Sequence, residues 1–209
     1  MVRELSREEL DLARAEIGAA AAELYAQSGE EGITIREIAR ATGRSPMGLY
    51  RYFGDREEII AFLRCQAFEA FSDALEAAFE SGRDSFGRAR AVGRAYLDFA
   101  LEHPDEYRLM FDMRRPDDSK YPALAAASKR AGETVTRHVK DLAKAGIVQK
   151  GDTAKIGASL WAAAHGVIVL YLAGRLPDGV DVREFYLETM RLTFRGARTA
   201  ATKRAKGRK

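Results

Sequence analysis

Three features of the sequence predict an all-α protein. Apolar residues recur at three- and four-residue spacings along nearly the whole chain, alanine is frequent, and proline occurs only 5 times in 209 residues. Glycine, proline and small polar residues cluster between the periodic stretches, where helices end and begin. The pattern divides the chain into about nine helices. Residues 1–60 form a small three-helix unit, a fourth helix over 55–80 links it onward, a second helical bundle covers 81–196, and 197–209 is a basic tail with the composition of a disordered segment.

The first helix is predicted from Arg7 to Ser28, with Ile17, Ala20, Ala21, Leu24 and Tyr25 as its apolar stripe and Gly29 and Gly32 as its stop. Thr34 reads as an N-cap with Glu37 at capping-box spacing, and Ile35, Ile38 and Ala39 point inward from the second helix. Gly43 breaks that helix. Ser45 caps the third and Pro46 occupies its first position, where a missing N–H costs nothing, while Leu49, Tyr52 and Phe53 anchor it. Gly54 ends it, and Asp55 caps a long fourth helix running through Ile59, Phe62, Leu63, Phe68, Phe71, Leu75 and Phe79. Ser81 to Phe86 reads as a polar linker. Further helices are expected over 86–102, 104–113, 123–145, from Asp152 to Leu172, and over 182–194, with RRPDDSKYP at 114–122 as the clearest loop.

Composition narrows the function. A hydrophobic fraction of 46% against 31% charged residues suits a soluble core. No uninterrupted apolar run reaches membrane-spanning length and MVRELSREEL has no signal core, so a cytoplasmic location without a membrane partner is expected. Cys65 is the one cysteine and the 3 histidines are scattered, which offers neither a disulfide framework nor metal-ligand spacing. No metal and no cofactor are expected. No phosphate loop, dinucleotide glycine pattern or nucleophile elbow is present, and Asp117 and Asp118 lie in a polar loop, so no enzymatic activity is expected.

Net charge is only +3, yet Thr34 to Arg56 carries Arg36, Arg40, Arg44, Arg51 and Arg56 against Glu37 and Asp55. Two short helices meeting at a glycine turn, with that charge on one side, form a helix-turn-helix able to enter the major groove. Arg44, Ser45, Pro46, Met47 and Gly48 make its leading edge, with Arg51 on the outward side. Met47 and Pro46 suit a thymine methyl, and Arg44 a guanine edge or a phosphate. Thr34, Tyr50, Tyr52 and Arg56 are the candidates for phosphate contact, with Arg36 and Arg40 weaker ones.

Thr34, Ile38, Ala39, Gly43, Ser45, Gly48, Tyr50, Phe53 and Arg56 resemble, in order and without a gap, the N-terminal signature of the TetR family of bacterial transcriptional regulators. The resemblance covers about residues 15–60. It departs at Arg44, where the family commonly has valine, at Tyr52, commonly histidine, and at Arg56, often lysine. It implies a three-helix DNA-binding domain followed by a helical ligand-binding and dimerisation bundle, acting as a homodimer on double-stranded operator DNA. It carries over Thr34, Tyr50, Tyr52 and Arg56 to phosphates and Pro46, Met47 and Arg51 to the groove, with Arg44 and Ser45 beside them.

The C-terminal half is similar to a subgroup named for a Trp–His–Gly pattern, through Trp161, His165 and Gly166 within LWAAAHGVIVLYLAGR and through EHPDEYRLMFDM. Gly166 is expected to admit a neighbouring helix. Trp161 and His165, four apart, share a helical face. His165 reads as a core histidine, a ligand donor or a pH-sensitive group, the first being favoured by its apolar neighbours; His103 reads as structural and His138 as exposed. Tyr96, Phe99, Tyr107, Met110, Phe111, Trp161 and His165 are the candidates for an effector pocket, which would suit a small apolar or aromatic molecule. Ile156, Leu160, Ile168, Tyr171, Leu172, Phe185, Met190 and Phe194 are the dimer candidates, on the last two helices. The expected activity is repression relieved by the effector. The alternatives are activation or ligand-independent repression and, outside that class, a protein-interaction module without specific DNA binding.

Overall fold

The computed structural model describes residues 6–111, 118–149 and 153–198. Among them the chain forms α1 (Arg7–Gly32), α2 (Ile35–Ala41), α3 (Pro46–Leu49), α4 (Arg56–Ser81), α5 (Ser85–Glu102), α6 (Pro104–Phe111), α7 (Pro122–Lys144), α8 (Thr153–Leu172) and α9 (Val182–Ala197), with a 3₁₀ turn at Asp118–Lys120. Residues 114–117 of the expected loop, the Asp152 start of α8 and most of the tail lie outside the described residues. The predicted helices are present, with ends moved by a few residues.

Local chemistry accounts for the boundaries. Ser6 and Glu9 form a reciprocal capping box at the start of α1. At its other end the helical dihedrals break at Gly29 (φ 64°), and one further turn closes at Gly32, the two glycines predicted to stop the helix. Thr34 caps α2 by accepting from the Glu37 N–H at 3.1 Å, but the Glu37 carboxylate turns to Arg40 and leaves the predicted box half formed. Gly43 adopts φ 63° and supplies the left-handed residue that turns the chain between α2 and α3. Asp55 caps α4 through the Glu58 N–H at 2.7 Å.

The chain divides into two compact units. The first contains the described parts of Met1–Phe68 and Asp105–Ser128. Its core joins Ile17 and Ala21 of α1, Ile33, Ile38 and Ala39 around α2, Leu49 and Phe53 around α3, and Ile59, Ile60 and Leu63 of α4. Leu109 of α6 completes it. By contact, Asp105–Ser128 groups with the N-terminal unit, although it lies within the 81–196 stretch expected to form the second bundle. Beyond Leu109, Arg64 donates to the Met110 carbonyl at 3.3 Å and Phe68 meets Phe111 edge-on at 6.0 Å.

The second unit contains the described parts of Glu69–Pro104 and Lys129–Lys209. Phe71 packs edge-on against Tyr96 and Phe99, with ring centroids 5.3 and 5.2 Å away. Tyr186 of α9 is buried and donates its hydroxyl to the Gly93 carbonyl at 2.9 Å; burial raises its phenol well above the usual range. Arg130 of α7 bridges Asp73 and Glu76 of α4 at 2.6 and 2.7 Å, and its hydrogen bond holds the Glu76 carboxyl below the usual range. Of the two glycines in α8, Gly157 and not Gly166 has a close neighbour among the described residues. A Cβ at Gly157 would lie 2.9 Å from the Thr136 methyl, whereas one at Gly166 would meet nothing within 4 Å.

Helix α8 is long and apolar enough by length and composition to cross a membrane, although Lys155, Ser159 and His165 interrupt its apolar run. In the fold it packs on α9 and α5 and buries Leu160, Ala164, Val167 and Ile168. His138 is half-buried, not exposed, with its Nδ1 shielded from solvent, and desolvation depresses its pKa to about 4, the Val135 backbone hydrogen bond and Asp141 offsetting only part of that. In the unfolded chain this histidine takes up a proton below about 6.5, while the native ring stays neutral to about 4. Acid therefore favours unfolding across that window. His165 is shifted down by burial and acts in the same direction. Thermal melts from pH 7 to pH 4.5 should show the wild type losing about 2–3 kcal/mol, and His138→Leu most of that slope removed.

Candidate nucleic-acid interface

Helix α3 has four residues and cannot stand on its own hydrogen bonds. Its start is set by Ser45, whose Oγ accepts from the Gly48 N–H at 3.0 Å, and by Pro46 at the first position. A Cβ at Gly48 would lie 3.1 Å from that oxygen, so the glycine makes room for the cap. Its depth is set by Leu49 and Phe53, both buried in the core of the first unit.

Arg14 of α1 holds the other end, and the sequence reading passed it over. Its Nη1 donates to the Tyr52 carbonyl at 2.6 Å, its Nη2 pairs with Glu58 at 2.9 Å, and its guanidinium lies 4.1 Å from the Phe53 ring centroid. One side chain thus links α1, the segment after α3, and the first turn of α4. The only signal in the sequence was a single arginine on an otherwise unremarked face of α1.

The structure separates the predicted contact residues into two sets. Pro46, Met47, Tyr50 and Arg51 are exposed, as are Ser45, Thr34 and Arg36; Met47 is 77% accessible and Tyr50 50%. Arg44 and Arg56 are turned inward. Arg44 pairs with Glu16 of α1 at 2.7 Å, donates to the Thr42 carbonyl at 3.3 Å and lies over the Tyr52 ring at 5.6 Å. Tyr52 is correspondingly half-buried. Arg56 donates to the carbonyls of Ile33 at 2.5 Å and Glu30 at 2.7 Å and pairs with Glu57 at 2.7 Å. It fastens the end of α1 to the start of α4 instead of projecting outward. Arg40 is exposed but paired with Glu37 at 2.8 Å.

The effector candidates divide between the units. Tyr107, Met110 and Phe111 belong to the first, where Tyr107 and Met110 are fully buried and Tyr107 meets Phe111 at 4.9 Å. Tyr96, Phe99, Trp161 and His165 belong to the second. There the Trp161 Nε1 donates to the Tyr96 hydroxyl at 3.1 Å, and the His165 ring stacks on Trp161 at 5.4 Å. Of the dimer candidates, Tyr171 and Phe185 are exposed, and Ile156, Leu172, Met190 and Phe194 are partly buried, Phe194 against Phe86. Leu160 and Ile168 are buried within the chain itself. Their places on the outward face are taken by Val169, Leu170, Leu187 and Leu192, all exposed.

Residues 17–62 match the family described as "Bacterial regulatory proteins, tetR family", and residues 89–193, half of the chain, match "Tetracyclin repressor-like, C-terminal domain". The chain belongs to the TetR family. That C-terminal description carries no Trp–His–Gly designation and lends the subgroup resemblance no support. The chain is 30% identical over 133 residues to the HTH-type transcriptional activator FasR of Mycolicibacterium smegmatis, a stretch covering 63% of this chain and 59% of that one. It therefore spans less than two thirds of that relative. A protein of unknown function from Rhodococcus sp. RHA1 has the same fold at a TM-score of 0.79, 26% identity, and coverage of 95% and 98%. A TetR family regulator from Marinobacter aquaeolei VT8, at 19% identity and a TM-score of 0.69 over 92% and 99% of the two chains, shares the fold.

In this TetR chain Arg56 acts on backbone carbonyls. Arg56→Gln is expected to cost about 1–2 kcal/mol of stability, read as a lower Tm. The slope of log affinity for DNA against log salt should stay unchanged. A slope smaller by about one would return Arg56 to the phosphate backbone.

Proposed function

We propose that the chain is a sequence-specific DNA-binding transcriptional regulator, a homodimeric repressor released from a two-fold symmetric operator by a small apolar or aromatic effector. The observation that carries the reading is the pinned α3, whose outward residues Pro46, Met47, Tyr50 and Arg51 are exposed while its inward residues are locked in a core. Thr34 and Tyr50 take the flanking phosphates, Thr34 with its hydroxyl hydrogen and Tyr50 with its phenol. Dimerisation is supported by the apolar side chains left exposed on α8 and α9, among them Tyr171, Phe185, Leu187 and Leu192. On this reading the outward side of α8 meets a second subunit, and the protein works in the cytoplasm without a membrane or a catalytic step. Effector binding is supported by the aromatic group around Tyr96, Phe99, Trp161 and His165, which combines apolar rings with polar handles.

Activation is the second reading, favoured by the one observation that the FasR relative is named an activator. The test is recovery of bound fragments from genomic DNA by the purified protein at two salt concentrations. A shared two-fold symmetric sequence beside a promoter, retained at the higher salt, is the expected result. A transcription assay on that promoter then separates repression from activation by sign. Salt-sensitive binding with no shared sequence, or no binding at either salt, would favour an interaction module instead.

A further inference from the structure

The leading edge of α3 carries less hydrogen-bonding capacity than its sequence suggests. Arg44, the long cation beside it, is held back by Glu16 and the Tyr52 ring. The Ser45 oxygen is engaged by the Gly48 N–H, and Gly48 has no side chain. What projects from the first turn is Pro46 and Met47, neither of which offers a strong donor or acceptor. Met47 is the most exposed large apolar side chain among the described residues, at 77%. Scattered apolar residues are ordinary on a protein surface. This one differs because it stands at the second position of a helix whose cap, proline and buried Leu49 fix its backbone, at the end that enters the groove in a helix-turn-helix. An unbranched thioether side chain there is soft enough to follow an apolar surface.

The major groove presents one such surface. Guanine, cytosine and adenine edges carry donors and acceptors, whereas thymine adds its C5-methyl group. We infer that Met47 is a specificity-determining residue that packs on a thymine methyl in each half of the operator, with Pro46 flanking the contact. This rests on the DNA-binding reading above. Polar discrimination is left to Arg51, exposed one turn further on. Each half-site then requires thymine where the start of α3 lies, and removing that methyl group alone weakens binding.

The test is parallel selection from two random duplex libraries, one synthesised with thymidine and one with deoxyuridine, which lacks only the methyl. Wild-type protein and Met47→Ala are each applied to both, then titrated against the enriched sequence. Because Met47 is exposed, its truncation leaves the core intact. The expected result is a two-fold symmetric motif from the thymidine library with one required thymine per half-site. In the deoxyuridine library that position relaxes, and affinity falls about fourfold per half-site, the order of one buried methyl group. Met47→Ala should show equal preference in both libraries. The same base requirement in both libraries for the wild type, or a methyl preference that persists in Met47→Ala, would overturn the inference while leaving the regulator reading intact. Failure of the thymidine library to yield a motif would overturn that reading, and this inference with it.

Discussion

The reading head depends on one arginine. A four-residue helix has too few internal hydrogen bonds to hold its own direction, so α3 is placed by what grips its two ends. Leu49 and Phe53 supply the grip by burial. Arg14 supplies direction, because it bonds the Tyr52 carbonyl, pairs with Glu58 and covers the Phe53 ring at once. A charged donor on a backbone carbonyl is among the stronger interactions at a partly exposed site. The outward residues of α3 inherit their positions from this arrangement.

Charge in this region is managed pairwise. Glu16 takes Arg44, Glu37 takes Arg40, Glu30 and Glu57 take Arg56, and Glu58 takes Arg14. These pairs are partly exposed and each contributes modestly to stability. Their consequence for recognition is larger. With several arginines committed to the protein, attraction to any phosphate backbone is reduced, and discrimination falls to a few exposed side chains and helix-end groups. That suits a protein whose net charge is only +3.

Local features were legible in the sequence because their causes are local. The caps at Thr34, Ser45 and Asp55, the turn at Gly43 and the inward set Ile38, Ala39, Leu49 and Phe53 depend on residues a few positions apart. The roles of the arginines were not legible in this way. Arg14 meets partners 38 and 44 residues away, and Arg44 meets one 28 away. Arg56 matched the family pattern as a basic residue, but the pattern carries no information on which way a guanidinium turns. In the C-terminal half, helical periodicity marked α8 and α9 as apolar without saying which side faces the subunit's own core. Periodicity alone therefore places Leu160 and Ile168 outward, and the polar look of VTRHVKD conceals the half-buried His138. Gly157 and Gly166 are indistinguishable in sequence and differ only in what lies beside them.

The dependence of α3 on Arg14 is tested most directly by native-state amide hydrogen exchange. The amides of Leu49, Tyr52 and Phe53 bond within the α3 segment, while that of Ile38 lies in α2 and serves as the internal reference. In Arg14→Gln the first three are predicted to exchange about tenfold faster or more, with Ile38 unchanged. Unchanged exchange at Leu49, Tyr52 and Phe53, or an equal increase at Ile38, would show that burial alone holds the reading helix and would contradict the role given to Arg14.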